Sequence, residues 1–255
     1  MLIDAHCHLN SLSKITREDV VSSFLPKGSH TLIDTSIDVG SSLASVALSQ
    51  HYDDVFTSLG FHPFSSQDFS QEVIETYQSL INENKKIVAI GEIGLDSYAK
   101  VPLDKQEEVF KFFLRLAKCN NLPVIIHNRN DEAQVLDILA GFGPSLERVV
   151  FHCFSYSSKM LKKIVEKGGF ISFSLNILRK SEIIHSSLRA CPLENLILET
   201  DSPYMKIKNS PSTPLDIDKV YKQAATIKEA DQEKLIKQVA LNVDKVFSLN
   251  SKRSN

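Results

Sequence analysis

Histidines and acids with metal-binding chemistry stand out in the sequence because they recur beside short apolar segments. Five histidines and two acids share this setting: His6, His8, His62, Glu92, His127, His152 and Asp201. Imidazole and carboxylate donors suit zinc, manganese, iron or nickel better than calcium, and magnesium is compatible when water completes its shell. A set of this kind predicts metal-assisted hydrolysis.

The elements that must position these side chains alternate between strands and helices. Eight β-branched apolar runs predict strands at Leu2–Ala5, Thr31–Thr35, Val55–Gly60, Ile87–Ile93, Leu122–Ile126, Arg148–Phe151, Gly169–Ser174 and Asn195–Thr200. Segments with helical spacing lie between them, at Arg17–Leu25, Val39–His51, Gln71–Glu83, Asp104–Asn120, Asp131–Leu139, Ser158–Lys167, Leu178–Arg189 and Asp216–Phe247, the last broken in two. The clearest apolar stripe is Val109, Phe112, Phe113, Leu116 and Ala117.

This alternation predicts an α/β fold with a parallel sheet, and eight units in 255 residues favour closure into a (β/α)8 TIM barrel. An open doubly wound sheet would more often carry a Gly-rich phosphate loop after its first strand, where this chain has His6-Cys7-His8. We find no linker, so residues 1–255 are predicted to form one domain with a flexible tail at 251–255.

All seven metal-binding candidates are predicted to line one rim, because barrel active sites lie at the C-terminal ends of the strands. Side chains at i and i+2 of a strand share a face, so His6 and His8 can both face the mouth while Cys7 points away. The same parity puts Glu199 on the face of Asp201. It also puts Asp96 on the face of Glu92 if that strand continues so far.

A single histidine is more often a hydrogen-bonded structural residue than a ligand. Several imidazoles and acids gathered in a half-buried mouth are costly unless a cation compensates them. Six of these seven candidates acting as ligands would already exceed the four ligands of one tetrahedral site. Two cations about 3.5–4 Å apart would employ all six. The site is therefore predicted to hold one or two divalent ions.

Composition bounds the remaining function classes. The net charge of −2 disfavours a structural DNA-binding protein, and no apolar run reaches the roughly 20 residues of a membrane span. The N-terminal sequence lacks the pattern of an export signal, and the four cysteines lack C-x-x-C spacing. We therefore predict a cytoplasmic protein with reduced thiols and without membrane association, and we favour a monomer. Cys7 and Cys153 are predicted to be buried structural residues rather than thiolate ligands.

The motifs that carry these residues resemble the TatD family of metal-dependent deoxyribonucleases, within the amidohydrolase-like metallohydrolase superfamily. The matching segments are His6-Cys-His8, Gly60-Phe-His62-Pro, Gly91-Glu-Ile-Gly-Leu-Asp96, Pro123-Val-Ile-Ile-His127-Asn-Arg129, His152-Cys-Phe-Ser155 and Glu199-Thr-Asp201-Ser-Pro-Tyr204. The resemblance covers about residues 2–204, with a weaker match at Asn242…Phe247. It implies two divalent ions, such as Mg, Mn or Zn, and hydrolysis of DNA phosphodiesters.

The resemblance also implies a role for each ligand. His6, His8 and Asp201 would hold one ion. His127 and His152 would hold the second. The remaining two residues are Glu92, which would bridge the ions, and His62, which would contact phosphate or support a ligand.

Four departures from the family pattern bear on the substrate. Asn10 replaces the usual Asp, and Tyr156 and Leu175 replace glycines, which is expected to crowd the mouth. Segment 205–214 lacks the arginines usual in the family. The metal chemistry is therefore predicted to be intact, with an altered substrate preference.

Other residues near the predicted mouth have two interpretations each. Arg129 can contact phosphate or form a surface salt bridge, and Glu199 can hold a ligand imidazole by its second nitrogen. Tyr204 and Tyr156 can stack on bases or cap the loops, whereas a packing role is favoured for Tyr98. The only basic pair expected near the site is Lys206 and Lys208, with solvated lysines as the default interpretation.

Two rival functions remain. A related metallohydrolase would act on a small phosphoester, amide or lactone. Many such barrels bridge their metals with a modified lysine at the end of strand four, where this chain has Glu92. A catalytically lapsed barrel would serve as a binding scaffold, but it has no physical reason to retain clustered acids and imidazoles.

Overall fold

A computed structural model of the chain describes residues 2–24, 30–130 and 132–253. One eight-stranded sheet runs in chain order through β1 Leu2–Cys7, β2 His30–Thr35, β3 Val55–Leu59, β4 Ile87–Asp96, β5 Val124–Arg129, β6 Val149–Phe151, β7 Phe170–Phe173 and β8 Leu196–Leu198. Every neighbouring pair from β1 to β8 is parallel. The predicted (β/α)8 barrel is confirmed.

A helix follows each strand and covers the outside of the barrel. These helices are α1 Lys14–Phe24, α2 Val39–His51, α3 Gln71–Glu83, α4 Leu103–Cys119, α5 Glu132–Ala140, α6 Ser158–Val165, α7 Glu182–Ala190 and α8 Ile217–Lys228, with α9 Gln232–Phe247 and α10 Leu249–Arg253 after them. Across the described ranges, no helix combines the length and the apolar character that a membrane crossing requires.

The predicted break in the last helix is present between α8 and α9. Glu229 ends α8 in the left-handed region with a φ of 50°, and the Asp231 carboxylate then accepts from the Lys234 N–H at 2.9 Å to begin α9. Residues 251–253 belong to α10, although a flexible tail is predicted from residue 251. The predicted element ends Leu25 and Asp131, together with residues 254–255, lie outside the described residues.

The barrel closes between β8 and β1 at the rim that carries the candidate residues. The Asp201 N–H donates to the His6 carbonyl at 3.0 Å, and the His8 N–H donates to the Ser202 carbonyl at 2.7 Å. These backbone hydrogen bonds hold His6 and His8 beside Asp201. The first and last candidate residues of the sequence are therefore neighbours in the fold.

Three strands extend further at their C-terminal ends than their apolar residues predict, and the first of them, β1, continues to Cys7. β4 continues to Asp96 and β5 to Arg129, because the two strands remain paired at Gly94 with His127 and at Asp96 with Arg129. Glu92 therefore lies inside β4, which corrects the prediction that it ends the strand. Backbone pairing decides a strand's end, and polar side chains facing the barrel mouth do not interrupt it.

Two glycines of the quoted motifs allow strands to approach closely at the rim. A Cβ built on Gly94 would lie 1.8 Å from the His127 carbonyl oxygen. A Cβ on Gly60 would lie 1.9 Å from the Ser36 oxygen and 2.3 Å from the Glu92 nitrogen. Only glycine fits these positions, so they set the spacing of the strands that carry Glu92 and His127.

The stripe of α4 faces the core with a slightly different phase from the predicted one. The buried residues of this helix include Phe110 and Leu114 beside the predicted Val109, whereas Phe112 is only partly buried. Phe113 anchors α4 to the barrel, because its ring stacks on that of Phe61 with centroids 5.5 Å apart.

Candidate metal centre

The Glu92 carboxylate lies at the middle of a buried cluster at the C-terminal rim of the barrel. On one side, Glu92 Oε2 lies 3.6 Å from Nε2 of His6 and 3.8 Å from Nε2 of His8. The two imidazole nitrogens are themselves 3.2 Å apart. All three residues are buried, with Glu92 only 4% exposed.

A second imidazole group faces the other oxygen of the same carboxylate. Glu92 Oε1 lies 2.5 Å from Nδ1 of His127, 2.8 Å from Nε2 of His152 and 3.6 Å from Nε2 of His62. The nitrogens of His127 and His152 are 3.3 Å apart. One carboxylate therefore stands between two groups of histidines.

Asp201 completes the half of the cluster that contains His6 and His8. Its Oδ1 lies 3.5 Å from Nε2 of His8 and 4.0 Å from Nε2 of His6. Asp201 follows β8 by three residues with a φ of 55°, and the preceding Thr200 donates its N–H and hydroxyl to the buried Asp4 carboxylate at 2.8 and 2.6 Å. Residues outside the regular strand thus aim Asp201 inward, which periodicity cannot predict.

Hydrogen-bond acceptors behind the imidazoles orient them. Nδ1 of His8 lies 2.9 Å from the Thr35 carbonyl, and Nε2 of His127 lies 2.9 Å from Asp96 Oδ2. Because both partners can only accept, each of these nitrogens carries the proton, and the other nitrogen presents a lone pair to the cluster.

Glu199 takes the corresponding place behind His152. Its Oε1 lies 3.5 Å from Nδ1 of His152 and accepts from the Cys153 N–H at 2.6 Å, while Oε2 accepts from the Ser172 hydroxyl at 2.5 Å. Glu199 therefore faces the back of an imidazole. It does not lie among the clustered atoms.

The electrostatics of the cluster keep its acids ionised. Burial alone would raise the pKa of Glu92, but His152 and His127 hold that pKa well below its usual range. Burial would likewise lower the pKa of His152, but the Glu92 and Glu199 carboxylates outweigh it and raise that pKa well above the ordinary value. Positive charge is thus required around Glu92, whether it comes from protons or from cations.

The donor set fits divalent cations. Lone pairs of His8 and His127 face carboxylate oxygens, which is repulsive unless a proton or a cation lies between them. Separations of 3.2–4.0 Å among the atoms of His6, His8, Glu92 and Asp201 match donors that share an ion at about 2.0–2.2 Å. Three sets of donor atoms lie within 4.8 Å of one another: His6 with His8 and Glu92, His62 with Glu92 and His127, and His6 with His152 and Asp201.

Comparison with known proteins places this arrangement in a family. The sequence model of the family described as TatD related DNase matches residues 3–248. The chain belongs to the TatD family. The predicted resemblance is confirmed.

Relatives of the TatD family cover nearly all of the chain. An uncharacterized metal-dependent hydrolase of Methanocaldococcus jannaschii is 32% identical over 247 residues, which cover 96% of both proteins. One of Bacillus subtilis is 28% identical over 260 residues, covering 98% of this chain and 100% of that protein. Both relatives are described as metal-dependent hydrolases, which is the class of activity that the sequence predicts.

Solved structures support the fold. The crystal structure of YjjV, a TatD homologue of Escherichia coli, has a TM-score of 0.89 at 24% identity and covers 97% of this chain and 98% of its own. A TatD family hydrolase of Entamoeba histolytica has a TM-score of 0.82 at 20% identity, covering 96% of this chain and 97% of its own. At these identities the likeness establishes the TatD barrel and no substrate.

The TatD barrel brings together the seven predicted residues of the site. Asp96 adds to them, because β4 reaches it and its carboxylate meets His127. Tyr204 lies over the mouth with its ring against His8, at a centroid distance of 4.7 Å. Arg129 ends β5 exposed to solvent, and among the described residues it forms no ion pair.

The departures from the TatD pattern have structural partners. Asn10 donates from Nδ2 to Asp34 Oδ1 and to the Thr35 carbonyl, both at 2.9 Å. Tyr156 donates its hydroxyl toward the Asn128 and Asn130 carbonyls, at 2.9 and 3.1 Å, so it ties two loops and is not a free stacking ring.

The other predictions about loop residues have mixed outcomes. Leu175 is buried, with only 3% exposed. The packing role favoured for Tyr98 is wrong, because its side chain is 79% exposed. Cys7 is buried as predicted, whereas Cys153 follows its strand at a φ of 46° and contacts Ser174 Oγ at 3.2 Å, so strand alternation does not place it.

Two features near the site are absent from the sequence interpretation. Phe64 is 56% exposed and leans on His62 with ring centroids 4.8 Å apart. Arg179 reaches Met205, with Nη2 3.6 Å from Sδ. The sequence did offer a signal for Phe64, because this residue follows the candidate His62 by two positions and is next to Pro63. Nothing local in the sequence pairs Arg179 with Met205.

Proposed function

We propose that this TatD protein hydrolyses phosphodiester bonds of DNA with two divalent cations. In this proposal His6, His8 and Asp201 hold one cation, as the resemblance implies. His127 and His152 hold the second, and Glu92 lies between them. The observation that carries the proposal is the position of Glu92, whose two oxygens face separate imidazole groups.

The cations would lower the pKa of a water toward neutrality and neutralise charge on the phosphoryl oxygens. Asp201 would orient the attacking water or accept its proton, since it lies at the mouth and its contact with His8 holds the pKa of its carboxyl below the ordinary value, which keeps it ionised. The pKa of His62 falls to about 4, chiefly through burial, so this imidazole is neutral and can donate one hydrogen bond to a phosphate oxygen.

Residues around the cluster would position the substrate and the ligands. Arg129 presents an exposed guanidinium at the end of β5, two residues from His127, where it can contact a phosphate by two hydrogen bonds. Asp96 and Glu199 would hold His127 and His152 from behind. The mixed nitrogen and oxygen donors suit Zn²⁺ or Mn²⁺, and Mg²⁺ with added water.

DNA is favoured over a small phosphoester because of the family's description as TatD related DNase and because aromatic rings edge the site. Tyr204 and Phe64 are each more than half exposed and lean on His8 and His62, respectively. Exposed rings of this kind can stack on unpaired bases.

The test uses chelated protein that is resupplied with Mg²⁺, Mn²⁺ or Zn²⁺. Metal content is measured by mass spectrometry, and hydrolysis is followed on single-stranded DNA, duplex DNA and bis(p-nitrophenyl) phosphate. Glu92→Gln keeps the shape of the side chain but removes its charge, and we expect it to abolish turnover and reduce bound metal. Glu233→Gln, on the exposed start of α9, is the matched control.

DNA cleavage that is lost with chelator and in Glu92→Gln supports the proposal. Turnover of the small ester alone would indicate a phosphoesterase with a changed substrate. Metal binding without hydrolysis of any phosphodiester would contradict the proposal, and amide and lactone substrates would then be tested. Full activity in a folded Glu92→Gln protein would exclude the bridging role.

A further inference from the structure

A closed ring of hydrogen bonds joins the ends of β2 and β3 to the helices that cover them. Ser36 follows β2, Gly60 follows β3, Ser42 belongs to α2 and Tyr77 to α3. Ser36 Oγ lies 2.8 Å from the Gly60 nitrogen and 2.8 Å from Ser42 Oγ. The Tyr77 hydroxyl lies 2.9 Å from Ser42 Oγ and contacts the Gly60 carbonyl. All four residues are buried, and we call this arrangement the Gly60 ring.

Only one direction of donation satisfies every contact of the Gly60 ring. The amide N–H of Gly60 can only donate, its carbonyl can only accept, and each hydroxyl has one proton. The Gly60 N–H therefore donates to Ser36, and Ser36 donates to Ser42. Ser42 donates to Tyr77, whose hydroxyl donates back to the Gly60 carbonyl. Burial raises the pKa of the Tyr77 hydroxyl well above its ordinary value, so this proton stays in place.

Gly60 needs these partners because it lies beyond the paired part of β3. The last pairs of this strand join Ser58 to Thr35 of β2 and Leu59 to Ile90 of β4. A buried N–H or carbonyl without a partner is costly. Side-chain hydroxyls thus take over where the pairing ends, and they hold one peptide segment at the C-terminal rim.

The Gly60 ring lies against the backbone of the metal centre. A Cβ on Gly60 would lie 2.3 Å from the Glu92 nitrogen, so the two backbones are in direct contact. Beside it, Ser58 Oγ donates to the carbonyl of Gly91, the residue before Glu92, at 2.6 Å. His62 follows Gly60 by two residues, and its Nε2 lies 3.6 Å from Glu92 Oε1. A shift of Gly60 would therefore move both side chains.

We propose that Tyr77 is a positioning residue for the metal centre, because its hydroxyl closes the ring that fixes Glu92 and His62. The inference rests on the proposed two-cation site and adds a residue of α3, on the outside of the barrel, to the structure that supports it. Tyr77 acts only through the backbone of Gly60. A carboxylate between two cations must reach both at about 2.0–2.2 Å, so a displacement of a few tenths of an ångström weakens both bonds.

Tyr77 also has an ordinary packing role, which the test must separate from positioning. Its ring centroid lies 5.0 Å from that of Phe113 and 6.0 Å from that of Phe61. Tyr77→Phe keeps this packing and removes the hydroxyl alone. Tyr221→Phe is the matched control, since Tyr221 is equally buried and its hydroxyl donates to the Ile3 carbonyl at 3.1 Å. Ile3 lies near the start of β1, at the opposite end of the barrel from the metal centre.

Each variant is compared with the unsubstituted protein in stability, metal affinity and turnover. Thermal unfolding of metal-free protein reports stability, titration calorimetry reports the affinity for Mn²⁺, and kcat and KM are measured with bis(p-nitrophenyl) phosphate. Both variants should show a similar fall in melting temperature, because each leaves a buried carbonyl without its donor. Tyr77→Phe alone should weaken Mn²⁺ binding by about 10–100-fold and lower kcat to a similar extent. Tyr221→Phe should leave the affinity and kcat unchanged.

A second pair of variants tests the Gly60 ring without altering Tyr77. Ser42→Ala opens the ring, whereas Ser49→Ala removes a likewise buried hydroxyl that donates to the Val46 carbonyl within the same helix, at 2.9 Å. We expect Ser42→Ala to weaken Mn²⁺ binding several-fold and Ser49→Ala to leave it unchanged. This pair decides the question if Tyr77→Phe does not fold.

Equal Mn²⁺ affinities in Tyr77→Phe and Tyr221→Phe, or in Ser42→Ala and Ser49→Ala, would overturn the positioning role. The two proposals also fail separately. A loss of Mn²⁺ affinity confined to the ring variants, in a protein that hydrolyses no phosphodiester, would reject the proposed function and leave the positioning role standing. Metal-dependent hydrolysis with identical Mn²⁺ affinity in the ring variants and their controls would do the reverse.

Discussion

Asp96 Oδ2 and His127 Nε2 lie 2.9 Å apart, on the far side of the imidazole from the Glu92 carboxylate. Asp96 is therefore the acceptor that turns the other nitrogen of His127 toward Glu92. The pairing depends on the length of β4, because this strand carries both Glu92 and Asp96, which are four positions apart. An acid behind a ligand imidazole raises its basicity and fixes its orientation.

Asp96→Asn should weaken metal binding by about 10–100-fold, because the neutral amide no longer fixes the proton of His127 on Nε2. Titration calorimetry with Mn²⁺ or Zn²⁺ measures this affinity. Asp137→Asn, an exposed position on α5, is the matched control. Equal affinities in the Asp96 variant and its control would show that His127 needs no acid behind it.

Tyr204→Leu and Phe64→Leu should each raise KM for single-stranded oligonucleotides by roughly 5–150-fold, since a stacked base contributes about 1–3 kcal/mol. Both rings lean on histidines of the cluster, whereas no ring contact joins the exposed Tyr98 to them. Tyr98→Leu therefore serves as the comparison in the same steady-state assay. Identical effects of all three changes would argue against specific stacking.

The titration of Asp34 should lower the free energy of unfolding as the pH rises from about 4 to about 6. Burial raises its pKa from 3.8 to about 6, so between these values the folded protein binds a proton more tightly than the unfolded chain. Rising pH removes that proton at a cost of up to about 3 kcal/mol across the window. Asp34→Asn removes this titration. The free energy of unfolding of the variant minus that of the unsubstituted protein should therefore increase by about the same amount from pH 4 to pH 7.

Urea unfolding of metal-free protein at several pH values measures the Asp34 effect, because metal binding would add its own pH dependence. The relevant quantity is the difference between variant and unsubstituted protein at each pH. The same difference for Asp137→Asn sets the baseline. A difference that does not change with pH would show that Asp34 titrates normally.

Gly94→Ala should destabilise the protein by about 3 kcal/mol or more, because the added Cβ would lie 1.8 Å from the His127 oxygen and the glycine φ is 151°. Gly40→Ala is the control, since its Cβ meets no atom nearer than 3.7 Å. That change should be neutral or stabilise the start of α2 by up to about 1 kcal/mol. Thermal unfolding of both variants decides; similar melting temperatures would contradict the packing argument.

Much of the site was predictable because its residues carry local signals. His6 lies near the end of β1, His8 directly after β1, and Asp201 shortly after β8, so their common rim could be inferred from barrel geometry. The inward direction of Asp201, which has a φ of 55°, could not be inferred from strand parity. The prediction failed where local signals end. Tyr98 lies in a loop, and whether a loop side chain is exposed depends on its tertiary contacts, which the local sequence does not show.

The sequence by itself determined the order of strands and helices, the barrel and the identity of the clustered donors, because periodicity and residue type are properties of neighbouring residues. Only the tertiary structure decided that Glu92 lies within β4 between two imidazole groups. It alone decided that Asp96 stands behind His127 and that Arg179 joins Met205. Those relationships depend on strand register and on contacts between loops, and neither is encoded in the spacing of residues along one segment.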